Sequence, residues 1–346
     1  MKTQQREHLV QKVGYFLFLL VCSSIVLILF LRHGGINDDN RFKILNMVDG
    51  TAYKPFVYRT LMPTTVRILC SVTPRTVQGA FVSAVERDRY LTDMFKDLGL
   101  ETSAAYQYLA TFFLVLICLI CFGHYAAKLT LKVCGMMDSF VTRTLLATTL
   151  IMAVPSFSMH DLKMYDPSQL FLFTLALYFL EGGKLLAFVI SFAACCINKE
   201  TAVILIPIFA VALRGQYTSR KYICMILALT GWYVFVELLL VYLFRSNPGG
   251  TMELHLLGNV GLLTDISLSS AVPIWIIVLV LCLYRWADKP AFYKVSFLFT
   301  LPPLVILGMY FGVLNEWRDY YEAYPIVFGM ALHSILSIKR DFALKA

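Results

Sequence analysis

Several short clusters hold the polar chemistry of an otherwise apolar chain. Asn198-Lys199-Glu200-Thr201 sets a cation and an acid between two apolar runs. Either charge buried alone is expensive, so each needs a partner or a water-filled cavity. A second reading makes Asn198 the cap of the following helix and Glu200 a complement to its dipole; the two readings can coexist. Glu316 and Arg318 flank Trp317. A guanidinium suits two-pronged binding of phosphate or carboxylate, while Trp317, Tyr320 and Tyr321 also fit an interfacial aromatic belt.

Asp38 and Asp39 are adjacent acids shortly after the first apolar run. They could take a proton from a hydroxyl or hold a divalent cation, Mg or Mn, bound to a phosphate; the alternative is a loop made soluble by Asn and Asp. His160 and Asp161 could form a base with its orienting partner, with Lys163 and Asp166 beside them. Asp166 before Pro167 is equally an ordinary helix start. Glu237 lies within an apolar run, as a functional acid or as one protonated or paired in a bundle.

Those residues need a scaffold, and composition names its class. The 346 residues are 59% hydrophobic and only 15% charged, where soluble domains carry about a quarter charged residues. Too little polar surface remains to cover a water-soluble core. This excludes an ordinary soluble enzyme, a disordered chain and a disulfide-rich secreted module. Ten apolar runs are candidate spans: Val13–Leu31, Ala105–Phe122, Leu145–Phe157, Gln169–Leu180, Leu185–Ile197, Thr201–Leu213, Ile223–Phe244, Ala271–Tyr284, Ser296–Val313 and Tyr324–Ile338. The first reads as a span rather than a cleavable signal peptide. The expected fold is all-α: a polytopic transmembrane bundle forming a single integral membrane domain over 1–346.

Lys and Arg orient it. With both termini inside, the cytoplasmic pieces hold 16 Lys/Arg and 5 Asp/Glu, a surplus of 11 against a deficit of 3 elsewhere. The net charge of +8 is therefore a topology signal and does not indicate a nucleic-acid partner. On this map every polar cluster above lies on the outer face, as does a large extracytoplasmic loop, residues 32–104. Within that loop Phe56–Leu69 and Val77–Phe95 read as amphipathic surface helices, and Glu86-Arg87-Asp88-Arg89 as a solvated face. The nine cysteines offer neither a disulfide pair nor a metal-type spacing with a second half, and Cys118-x-x-Cys121 reads as packing. The absence of an Asn-x-Ser/Thr sequon agrees with a bacterial source.

Four features together resemble the GT-C glycosyltransferase superfamily: the acidic outer loop after the first span, Tyr58-Arg59-Thr60-Leu61-Met62-Pro63, Asn198-Lys199-Glu200-Thr201 opening a span, and Asn315-Glu316-Trp317-Arg318 before the last. The resemblance covers most of the chain through short motifs. It implies a multi-pass protein of the bacterial inner membrane whose active site faces outward. It implies a polyprenyl-phosphate-linked sugar donor and a glycan, lipid or protein acceptor. In that scheme Asp38 or Asp39 is the base or metal ligand, and Arg59, Lys199 and Arg318 bind the lipid phosphate. From their position on the outer face, Lys163, Asp166, Glu200 and Glu316 join the substrate-binding set. The competing expectations are a transporter or flippase and a non-catalytic assembly protein for lipid-linked saccharides. A transporter should show repeated halves or broken helices at mid-membrane; the sequence shows no repeat, and its polar residues gather on one face.

Overall fold

The computed structural model describes residues 2–33, 37, 39–157, 163–264, 272–313 and 316–343. Among them every regular element is helical. The order is α1 (Lys2–His33), α2 (Ile44–Asp49), α3 (Leu61–Val72), α4 (Arg75–Arg87), α5 (Arg89–Asp97), α6 (Ala105–Val133), α7 (Phe140–Ala153), α8 (Asp166–Glu181), α9 (Leu185–Asn198), α10 (Leu205–Ala212), α11 (Ser219–Leu243), α12 (Leu256–Thr264), α13 (Val272–Leu283), α14 (Ala291–Phe311) and α15 (Tyr324–Ala343). Short 3₁₀ turns sit at Phe56–Tyr58, Thr102–Ala104, Val154–Phe157, Glu200–Ile204, Trp286–Asp288 and Trp317–Ala323.

The described part of each of the ten apolar runs is mainly helical, but the helices differ in length. Among the described residues four stretches are long and apolar enough to cross a membrane: Gln5–Arg32, Thr102–Val133, Ser219–Leu243 and Ala291–Phe311. The run at Thr201–Leu213 divides into a 3₁₀ turn and the eight residues of α10. Eight residues at about 1.5 Å each span roughly 12 Å, well short of a hydrocarbon core. The last helix has 20 residues, and Lys339, Arg340 and Asp341 dilute its hydropathy.

The large loop is built differently from the expectation. Phe56–Leu69 is not one helix: a 3₁₀ turn ends at Tyr58, and α3 begins only at Leu61. Pro63 suits the restart, because it lacks an N–H and falls in the first turn of α3, where that donor has no intrahelical partner. Val77–Phe95 likewise divides at Asp88. Its carboxylate accepts the N–H groups of Tyr90 and Leu91, so it is the N-cap of α5 rather than part of a plain solvated run.

Helices α6 and α8 pack along each other, flanked by α1 and α7 on one side and α9 on the other. Close approaches depend on missing side chains. A Cβ at Gly329 would strike the Tyr293 ring, and one at Gly308 would meet the Tyr320 hydroxyl. The second contact lets the 317–323 turn settle against the end of α14.

Antiparallel neighbours collect the connectors at two ends. One end holds Lys132, whose ammonium donates to the Glu181 carbonyl at 2.7 Å, and the Arg143–Asp138 and Arg285–Asp341 pairs. The other end holds the large loop and the connectors before α8, α10, α12 and α15.

Candidate functional site

The break between α9 and α10 is the centre of that second end. Helix α9 stops at Asn198, and Lys199 is extended, with φ −161° and ψ 142°. Asn198 is fully buried and does not cap the next helix as expected. Its amide instead donates to the Tyr165 carbonyl and to Gln169 Oε1, both at 3.1 Å, and accepts from Ser168 Oγ at 2.7 Å. The carbonyl can only accept, so the amide's orientation is fixed. That in turn aims Gln169 Nε2 at Thr201 Oγ1, 3.3 Å away. The Thr201 hydroxyl then donates to Glu322 Oε1. A directed chain of polar groups thus runs from the end of α9 through α8 to the turn before α15 and ends on Glu322 Oε1.

Lys199 Nζ lies 3.4 Å from the same Glu322 oxygen; its side chain is 6% exposed and that of Glu322 0%. Burial works against the lysine's charge, but Glu322 and then Asp166 outweigh it and hold its pKa above the ordinary value.

Arg59, between the 3₁₀ turn and α3, reaches Glu200 with two nitrogens, at 2.7 and 3.3 Å. It also donates to the Tyr165 hydroxyl, and its guanidinium stacks 4.5 Å from the Tyr165 ring centre and 5.6 Å from that of Phe56. Burial opposes its charge, and Glu200 more than compensates, raising its pKa. On the other side of the pair, burial pushes the Glu200 carboxyl up, yet Arg59 brings it down to about 2. So thoroughly held, Arg59 is a clamp between the outer loop and the α9–α10 break.

Arg318 binds one oxygen of Glu316 through Nε at 3.0 Å and Nη2 at 2.5 Å, and its Nη1 is 3.9 Å from Asp166 Oδ2. Burial is again the opposing influence, with Asp319 and Asp166 raising its pKa well above normal. Asp166 is wholly buried at the start of α8. Its Oδ2 accepts the Lys163 N–H at 2.8 Å, while Oδ1 has no hydrogen-bond partner among the described residues. The Lys163 ammonium sits 3.1 Å from the Phe42 ring centre. Tyr320 and Tyr321 are 5% and 2% exposed, so they pack inside the protein and are not the aromatic belt expected of them.

Asp39 marks the rim. Both its oxygens are taken by Arg41, through the backbone N–H and Nε, each at 2.8 Å. Its partial burial is outweighed by those bonds, which lower its pKa. Arg41 continues to Glu253 at 3.4 Å, tying in the connector before α12. Asp38, His160 and Asp161 lie outside the described residues.

Seven of the expected residues therefore meet in one charge cluster: Arg59, Lys163, Asp166, Lys199, Glu200, Glu316 and Arg318. Glu322 is its unexpected member. Its signal was an acid immediately before an apolar run, the same cue that marked Glu200. Among the described residues no group of three or more His, Cys, Asp or Glu side chains could hold a metal ion. With Asp39 occupied by Arg41, the described part of the site does not fit Mg or Mn. All nine cysteines are free thiols.

Fold and site together define an all-helical protein, compatible with a multi-pass membrane protein, that carries a buried ionic cluster at one end. No family model matches the chain, and neither do curated proteins or solved structures.

Proposed function

We propose that the chain is a GT-C-like membrane glycosyltransferase with about ten spans, both termini cytoplasmic and its site on the extracytoplasmic face. It moves a sugar from a polyprenyl-phosphate-linked donor to a glycan, lipid or protein acceptor. One observation carries the reading: Lys199 and Arg318 converge with Asp166, Glu316 and Glu322 from three separate connectors. Buried ionic clusters are poor stabilisers, because apolar residues of equal volume usually serve stability as well or better. A cluster of this kind suits a charged ligand better than it suits cohesion.

The chemistry follows from the charges. The acceptor oxygen bonds to the anomeric carbon as the carbon–oxygen bond to phosphate breaks, and the electron pair leaves with the phosphate. Arg318 and Lys199 stabilise that developing charge. Asp38 or Asp39 takes the acceptor's proton. The bonds from Arg41 weaken Asp39 as a base, and separate replacement of Asp38 and Asp39 by Asn apportions the role.

The test uses the protein in phospholipid nanodiscs with polyprenyl-phosphate sugars and glycolipid acceptors, reading released polyprenyl phosphate by mass spectrometry. Arg318→Ala should lower turnover about 10²-fold. Movement of uncleaved donor across proteoliposomes would make the protein a flippase instead. Full turnover in the Asp38→Asn, Asp39→Asn double variant would remove both acids from the mechanism.

A further inference from the structure

The connector before α13 carries an unusual helix. The nine residues of α12 contain no ionisable side chain and include Gly258 and Gly261, both facing open space. Glycine disfavours helix, and helices this short are marginal in water even when built from good formers. Two of its apolar side chains gain little burial inside the protein. Leu257 is 89% exposed and Val260 49%, and just before the helix Met252 and Leu254 are 71% and 75% exposed.

The opposite face is firmly anchored. Asn259 is 1% exposed, and its amide nitrogen lies 2.9–3.1 Å from the carbonyl oxygens of Gly308, Met309 and Gly312. The His255 N–H donates to the Tyr310 carbonyl at 2.9 Å. These carbonyls belong to the last turn of α14 and to Gly312, the residue that ends it, where intrahelical donors run out. Helix α12 is thereby fixed across the end of α14, which is long and apolar enough to cross a membrane. The outward face of α14 presents Ile306, Tyr310 and Phe311, 59%, 44% and 41% exposed. The exposed side chains of α12 extend that apolar surface around its end.

We infer that residues 252–264, α12 with the segment leading into it, lie on the membrane surface. Met252, Leu254, Leu257 and Val260 are inserted at the headgroup–acyl boundary of the leaflet beside the charge cluster. The occupant of this face is the lipid bilayer. A short helix with an apolar face seated in the interface gains the burial that water denies it. No basic side chain lies within the helix, so apolar burial drives the contact and zwitterionic lipid suffices. Through Glu253, Arg41 and Asp39 the same segment joins the rim of the cluster. The inference rests on the membrane reading of α14 and is independent of glycosyl transfer.

The test places the photo-crosslinker p-benzoylphenylalanine singly at Leu254, Leu257, Ile306 and the exposed α5 residue Lys96, in full-length protein in phosphatidylcholine nanodiscs. Lipid adducts are read by mass spectrometry. Adduct yield at 254 and 257 should come within about twofold of that at 306 and exceed that at 96 about tenfold. Adducts at 306 with none at 254 and 257 would overturn the surface helix. No adduct even at 306 would overturn the membrane placement beneath it. Two positions guard against one substitution disturbing the helix.

Discussion

Two buried lysines, one at each end of the molecule, answer the same problem in different ways. Lys289, 3% exposed, faces no carboxylate at hydrogen-bond distance among the described residues. Its ammonium donates to the Met330 carbonyl and Ser334 Oγ, both at 2.5 Å, and to the Leu281 carbonyl at 3.2 Å. It is a fastener between α13 and α15, and burial lowers its pKa. Lys199 is as buried but sits in a field of acids, and its pKa is raised. Neutral carbonyls suffice to hold a lysine in place. A cluster of matched ions costs more desolvation for the same mechanical result. The difference separates an end built for cohesion from one built around charge.

The largest effect should come from breaking the ionic end. Glu322→Gln leaves the Lys199 ammonium buried with its nearest counter-charge gone, and should cost about 3–5 kcal/mol. Lys289→Met should cost about 1–2 kcal/mol, a few ordinary hydrogen bonds. The Leu281 carbonyl keeps its bond from Ser334 Oγ in that variant. Chemical denaturation of the two variants in one detergent measures the contrast. Equal losses would mean that Glu322 is no more than another hydrogen-bond acceptor.

Arginine pairs sharpen the same contrast at smaller scale. Arg59→Lys keeps the charge but loses the forked bond to Glu200 and the stacking on Tyr165, and should cost about 1–2 kcal/mol. Arg285→Lys, at the opposite end, changes a pair whose side chains are 45% and 31% exposed. It should cost under about 0.5 kcal/mol. Thermal unfolding of both variants tests this, and a larger loss for Arg285→Lys would reverse the assignment of the two ends.

Much of this was legible in the sequence. Polar residues set against apolar runs announce themselves, and alternation of the runs dictates that Asp166, Lys199 and Arg318 share an end. Partner choice was not legible. Asn198 reads as a cap by position, yet a buried carbonyl from another helix captures its amide. The family resemblance makes Arg59 a phosphate ligand, and the sequence gives no sign that Glu200, Tyr165 and Phe56 surround it. The span lengths were obscured for a related reason. Inside a bundle a short helix such as α10 can be wholly apolar without being long enough to cross, and hydropathy registers only the first property.

The smallest effect is the most diagnostic, because it turns on sign. The folded state holds the Lys199 proton more tightly than the unfolded chain, whose lysine titrates at 10.5. Its contribution to stability is complete below that pH and is lost as pH rises through the raised value. Lys289 is the reverse: folding weakens its hold on the proton. Between its lowered value and 10.5 the unfolded state binds more protons, so stability from this site rises with pH. Unfolding midpoints of wild type, Lys199→Met and Lys289→Met from about pH 8 to 11 isolate the two slopes, since tyrosines and other groups common to all three cancel between distant sites. Relative to wild type, Lys199→Met should lose an alkaline decline and Lys289→Met an alkaline gain. Slopes of the same sign would show that burial alone governs both lysines and that the acids around Lys199 do not set its charge.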